Sequence, residues 1–182
     1  MNTFVSDAEV LIRSRTDPEA LGVLYDRHAA AVHSYLARRA GRSVADDLLS
    51  EVFVAAVRAR RRVRPHASGS ALPWLYGIAR NVVGSHFRSV KPSPSVHADA
   101  EVDWAAVDAR IDASAAAADL RRALDGLSDV ECEVLLLVAW EQLTITEAAA
   151  VLDITPTAAR SRLHRARTRA AAALAATTGE LT

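Results

Sequence analysis

A chain of 182 residues with 51% hydrophobic and only 5% aromatic side chains suits one domain or two small ones, with cores built from Leu, Val and Ala. No apolar run is long enough to span a bilayer, no charged-then-apolar start resembles a signal peptide, and one cysteine, Cys132, excludes an internal disulfide framework. A cytoplasmic protein without membrane insertion is expected. The formal net charge of zero hides segregation: residues 1–95 carry 14 basic and 8 acidic side chains, 96–156 carry 3 and 13, and 157–182 carry 5 and 1. A basic, acidic, basic order provides two separate surfaces for a polyanion and a middle that avoids it.

Ser6 and Glu9 form a capping box that opens a short helix through Val10, Leu11 and Ile12. Asp17-Pro18-Glu19 starts the next, whose Leu21, Leu24, Tyr25, Val32, Tyr35 and Leu36 keep a helical period up to a stop at Gly41. His28 and His33, five apart, point to different faces, so no metal site is expected. Ser43 caps a third helix with Leu48, Leu49, Val52, Phe53, Ala56 and Val57 on its apolar face, and Asp46, Asp47, Ser50 and Glu51 on an acidic one. No nucleophile, glycine-rich loop or metal-spaced histidine joins those carboxylates, which leaves a solvated face or a protein-docking one. Arg58, Arg60, Arg61, Arg62 and Arg64 follow, then a loop from Pro65 to Ser70.

A fourth helix spans about Ala71 to Ser89. Leu72, Leu75, Ile78, Ala79, Val82 and Val83 face inward, leaving Trp74, Tyr76, Arg80, Asn81, His86 and Arg88 elsewhere. Aromatics interleaved with arginines beside a basic loop are elements of single-strand binding, in which bases stack or flip out; Trp74 and Tyr76 fit a core equally. Residues 93–112 read as a flexible acidic linker, with one possible helical turn at Trp104 and Val107. Like charge there is drawn to the basic blocks on either side, so the free chain is expected to compact at low salt. Helix resumes from Ala113 to about Gly126, and Ser128 with Glu131 caps another through Val134, Leu135, Leu136, Val138 and Trp140.

The last stretch is the most informative. Thr144 and Glu147 form a third capping box. The helix it opens stops at Asp153-Ile154, and Thr155 caps a second helix with Pro156 at its first position. This is a helix-turn-helix plan. At about 100° per residue, Ala159, Leu163, Ala166 and Ala170 share one side of the second helix. Thr157, Ser161, His164 and Arg165 lie opposite, with Arg160 and Arg167 on the flank. From Thr155 to Ala170 there are five arginines and no acid; a solvated helix usually mixes signs for i,i+4 pairing. Guanidinium forks and a hydroxyl on one face suit a DNA major groove.

Two motif blocks carry a resemblance. The first comprises Tyr25-Asp26-Arg27-His28, then Ala45-Asp46-Asp47-Leu48-Leu49-Ser50-Glu51-Val52-Phe53, then Trp74-Leu75-Tyr76-Gly77-Ile78-Ala79-Arg80-Asn81. The second comprises Glu133-Val134-Leu135-Leu136-Leu137 and Arg160-Ser161-Arg162-Leu163-His164-Arg165-Ala166-Arg167. In order and spacing the chain resembles the extracytoplasmic-function (ECF) group of sigma-70 RNA polymerase sigma factors. The resemblance implies an all-α protein of two helical domains, region 2-like at 1–92 and region 4-like at 113–182, joined by the linker. It implies docking on the β′ clamp helices of core polymerase through Asp46, Asp47, Leu48, Ser50, Glu51 and Phe53. Reading of a −10 promoter element would fall to Arg64, His66, Ser68, Trp74, Arg80, Asn81 and Arg88. Region 4 would dock on the β flap and read a −35 element through Thr157, Arg160, Ser161, His164 and Arg165, with Arg162 and Arg167 on phosphates. The linker would thread polymerase channels, and an anti-sigma factor is an implied partner. No cofactor, metal or catalysis is expected.

The chain departs from the family pattern at Asp153, where a turn glycine is usual, and at Ala159, Gly77 and Ser85. Two other readings stand beside this one. A helix-turn-helix regulator acting without polymerase explains the C-terminal helix but not the first block. An enzyme or phosphate-binding protein lacks any nucleophile–base set or P-loop. Run-off transcription with core polymerase separates the first two, since a regulator alone yields no transcript.

Overall fold

The Ser6 hydroxyl accepts from Glu9 N at 3.3 Å while the Glu9 carboxylate accepts from Ser6 N at 2.7 Å, and helix α1, Asp7–Ser14, starts there. In the computed structural model residues 5–90 and 123–179 are described, and among them every regular element is a helix. The chain divides into two units, Met1–Ala100 and Glu101–Thr182. The linker at 93–112, the expected turn at Trp104 and Val107, and the start of the helix expected from Ala113 lie outside the described residues.

In the first unit, Asp17-Pro18-Glu19 forms a single 3-10 turn, Pro18–Ala20, that runs into α2, Leu21–Ala40. Gly41 ends α2 with φ 89°, a backbone region glycine enters at no steric cost. Helix α3, Arg42–Ala59, follows at once, so Ser43 is not its cap: the residue before the helix is Gly41, with no side-chain capping bond. The positive-φ glycine lets the helix start at Arg42, two residues before the Val44 start that a Ser43 cap implies. A 3-10 turn, Arg60–Arg62, and a loop lead to α4, Leu72–Val90. Leu24, Val32, Leu36, Leu48, Val52, Leu75, Ala79 and Val83 form the core between α2, α3 and α4, each at most 2% exposed. At its centre the Tyr35 and Tyr76 rings lie 4.9 Å apart and the Arg39 guanidinium sits 3.7 Å over the Tyr35 ring. Arg39, 2% exposed, is held by that cation–π contact inside the core.

In the second unit residues 123–125 are helical and turn at Gly126. Helix α5, Asp129–Ala139, then packs with α6, Ile145–Val151, and α7, Pro156–Gly179. Leu124, Cys132 and Leu136 form one cluster, against which Leu127 and Leu135 pack. Cys132 is buried in this cluster and takes part in no disulfide.

Candidate nucleic-acid interface

The helix-turn-helix is built by local chemistry. Thr144 N and Oγ1 donate to Glu147 Oε2 at 2.9 and 2.8 Å, and Glu147 N donates back to Thr144 Oγ1 at 3.3 Å. Helix α6 ends with Ile154 N donating to Ala149 O at 3.0 Å and Asp153 N to Ala150 O at 3.4 Å. This is a Schellman ending with Asp153 in the left-handed position, φ 53°. Asp occupies the place where glycine is usual because its short side chain tolerates that backbone. A second left-handed residue, Gln142 at φ 55°, lies between α5 and α6 and was not foreseen from the sequence. Ala158 N donates to Thr155 Oγ1 at 3.2 Å, which caps α7 with Pro156 first.

The small-residue stripe of α7 is buried: Ala159 and Ala166 are 0% and Leu163 3% exposed. Ala159, in place of a branched residue, lets α7 lie close on its partners. Thr157, Arg160, Ser161, His164 and Arg167 are exposed, and Arg162 is half-buried. Five arginines and no acid lie along α7.

Arg165 is placed differently from its neighbours on the expected groove face. Its Nε donates to Glu131 Oε1 at 3.0 Å, and Arg169 Nη1 donates to Glu131 Oε2 at 2.8 Å. Glu131, 4% exposed, also accepts from Ser128 N and Oγ at 3.2 and 3.0 Å. Burial raises the Glu131 pKa, but Arg165, Ser128 and Arg169 outweigh it and hold the carboxyl below its ordinary value. One acid thus caps α5 and ties it to α7. The capping role was legible in the sequence; the ion pairs, 34 and 38 residues apart, were not.

In the first unit the loop after the 3-10 turn carries Arg64, His66 and Ser68. Ser68 N donates to His66 Nδ1 at 3.1 Å and Gly69 N to His66 O at 2.9 Å, closing a turn in which Gly69 has φ 77°. Arg64 and Ser68 are exposed and His66 is half-buried. On α4, Asn81 and Arg88 are exposed while Trp74 and Arg80 are half-buried. Tyr76 is 1% exposed and belongs to the core, not to a stacking platform.

On α3, Asp46, Asp47, Ser50 and Glu51 are exposed. Leu48 is 2% exposed, so it supports the face from beneath and cannot touch a partner. Phe53 is half-buried and meets Tyr25 edge-on, centroids 4.8 Å apart. Tyr25, 46% exposed, adds an aromatic rim to this face that helical spacing alone did not suggest. An open groove of about 620 Å³ between α3 and α4 is lined by Ser50, Glu51, Val54, Arg58, Asn81 and Ser85. His28 and His33 pair with Asp7 and Asp46 at 2.6 and 3.2 Å, and no group of three metal-ligating side chains occurs among the described residues. No helix among them is long and apolar enough to cross a membrane.

Residues 24–92 match the family model for sigma-70 region 2, and residues 117–169 match that for sigma-70 region 4. The RNA polymerase sigma factor CarQ of Myxococcus xanthus is 35% identical over 157 residues, 81% of this chain and 84% of that protein. The ECF RNA polymerase sigma factor BldN of Streptomyces coelicolor is 30% identical over 82% of this chain, which spans 58% of BldN. Among solved structures, CnrH in complex with the cytosolic domain of CnrY has the same fold, with TM-score 0.64 and 24% identity over 93% of this chain and 97% of that one. So does the sigma factor RpoE of Bartonella quintana in complex with the anti-sigma factor NepR, with TM-score 0.58 and 19% identity over 86% and 97%. With a capped helix-turn-helix bearing an acid-free arginine face and both sigma-70 regions in sequence, the chain belongs to the ECF group of sigma-70 RNA polymerase sigma factors, polymerase subunits without catalysis of their own.

Proposed function

We propose that the two units read two promoter elements while the acidic face of α3 holds core polymerase. Helix α7 reads the −35 major groove through Thr157, Arg160, Ser161 and His164, with Arg162 and Arg167 on phosphates. Arg165, whose side chain stays 53% exposed beside its Nε bond to Glu131, joins them at the groove. The observation that carries this reading is the division of α7 into a buried small-residue stripe and an exposed arginine face without acids.

The loop with Arg64, His66 and Ser68, together with Trp74, Arg80, Asn81 and Arg88, captures the melted −10 strand. Asp46, Asp47, Ser50, Glu51 and Phe53, with Tyr25 beside them, dock on the β′ clamp helices. Region 4 meets the β flap, and residues 93–112 link the two units through polymerase channels. An anti-sigma factor is the regulatory partner assigned by analogy with the NepR complex of the Bartonella quintana protein.

The test is selection of promoters from a randomised template pool by core polymerase carrying the full chain, read out by run-off transcription. Arg160→Ala should lose base preference only in the upstream element, and Asn81→Ala only in the downstream one. Loss of the same positions by both variants would overturn the assignment.

A further inference from the structure

Helix α1 lies before residue 24, where the region 2 match begins. Its side chains reach both ends of the loop between residues 63 and 71. From the C-terminal end of α1, Arg15 Nη2 donates to Val63 O at 2.6 Å, across 48 residues. From its first turn, Asp7 Oδ2 accepts from Ala71 N at 3.0 Å, across 64 residues. Asp7 is itself fixed by α2, with Arg27 Nη1 at 2.9 Å and His28 Nε2 at 2.6 Å. Val63 and Ala71, 3% and 0% exposed, are sunk in the core, and so are Val10 and Leu11 of α1. The exposed Arg64 and Ser68 lie between those two anchors.

We propose that α1 is a clamp that pre-forms the −10 loop, with Arg15 and Asp7 as positioning residues for capture of the melted strand. This rests on the reading of Arg64, His66 and Ser68 as strand contacts. A loop held at both ends presents its side chains without the ordering cost that a free loop meets on binding. The capping box of Ser6 and Glu9 contributes by fixing where α1 begins, and so where Asp7 stands. Burial raises the Asp7 pKa, but the bonds from Ala71, Arg27 and His28 outweigh it and keep the carboxyl lowered, so Asp7 is the charged acceptor this geometry requires.

The test uses the full chain bound to core polymerase and a single-stranded oligonucleotide carrying the downstream element chosen by the selection above. Arg15→Ala and Asp7→Asn should each weaken oligonucleotide binding about tenfold, the size expected when roughly one residue must be re-ordered on binding. Both should leave core polymerase affinity and upstream base preference unchanged, and should speed hydrogen exchange of the amides at 66–70. Arg15→Lys, which still donates to the Val63 carbonyl, should restore most of the loss. Equal losses in oligonucleotide and core binding would show general destabilisation and overturn the clamp. Unchanged oligonucleotide binding with faster loop exchange would overturn it too. Arg64→Ala and Ser68→Ala separate the two layers: if they weaken capture and the clamp variants do not, only the clamp is wrong. If they also have no effect, the strand-contact reading falls and the clamp with it.

Discussion

Glu131 joins three elements of stability in one carboxylate, so its removal has a calculable effect. It caps α5 through Ser128, and it pairs with Arg165 and Arg169, whose side chains are 53% and 55% exposed. Loss of a cap costs about 1 kcal/mol. Each half-exposed arginine pair adds only about 0.5 kcal/mol after screening by solvent. The freed arginines rehydrate, so the larger cost of stranding a buried charge does not apply. Glu131→Ala should therefore lower the stability of the second unit by about 2 kcal/mol, and Glu131→Gln, which keeps an acceptor oxygen, by about 1 kcal/mol. For so small a domain the alanine variant should melt roughly 10 °C lower.

The Glu131 carboxyl is held below its ordinary value of 4.5, so its contribution is fully present above that pH and is lost as pH falls through the lowered value. Glu131→Gln should flatten the acid limb of stability there and change little of its slope near neutral pH. The assay is urea unfolding of the full chain, followed through hydrogen exchange in α5 to α7. A double-mutant cycle with Arg165→Ala should return a coupling of about 0.5 kcal/mol. A Glu131→Ala variant as stable as the parent, or one fully additive with Arg165→Ala, would refute the reasoning.

Three further outcomes are expected. Arg160→Ala should weaken cognate −35 binding by about 1–3 kcal/mol and scrambled DNA far less, whereas Arg167→Ala should weaken both alike; competition binding by the holoenzyme checks this. Reversing charge at Asp47 and Glu51, both exposed on α3, should reduce core polymerase affinity roughly tenfold or more while circular dichroism stays unchanged, and an unaffected pull-down would reject the docking face. Asp153→Val forces a β-branched residue to φ 53° and should cost about 1–2 kcal/mol in thermal unfolding, whereas Asp153→Gly should cost nothing comparable.

The helices, their caps and the helix-turn-helix were legible because their causes lie within four residues of one another. Ser6 with Glu9, Ser128 with Glu131, and Thr144 with Glu147 each close a capping box over three positions. The stripe of Ala159, Leu163 and Ala166 obeys helical spacing, and charge segregation is visible in composition alone. Gly41 reads as a stop, but the immediate start of α3 at Arg42 leaves no mark in the sequence, since a helix after a positive-φ glycine has no capping side chain to betray it.

The sequence by itself determined the all-helical class, the arginine-rich face of α7 and, through its motif blocks, the family. Only the tertiary structure decided which polar groups are spoken for within the protein. It put Leu48 and Tyr76 into the core, joined Tyr25 to Phe53, bound Arg165 and Arg169 to Glu131, and tied Arg15 and Asp7 to the two ends of the loop between residues 63 and 71. The physical reason is that helical periodicity says which side a residue lies on, but not what is packed there. An arginine facing solvent and one facing an acid 34 residues away have the same local pattern, and only packing of α7 on α5 tells them apart.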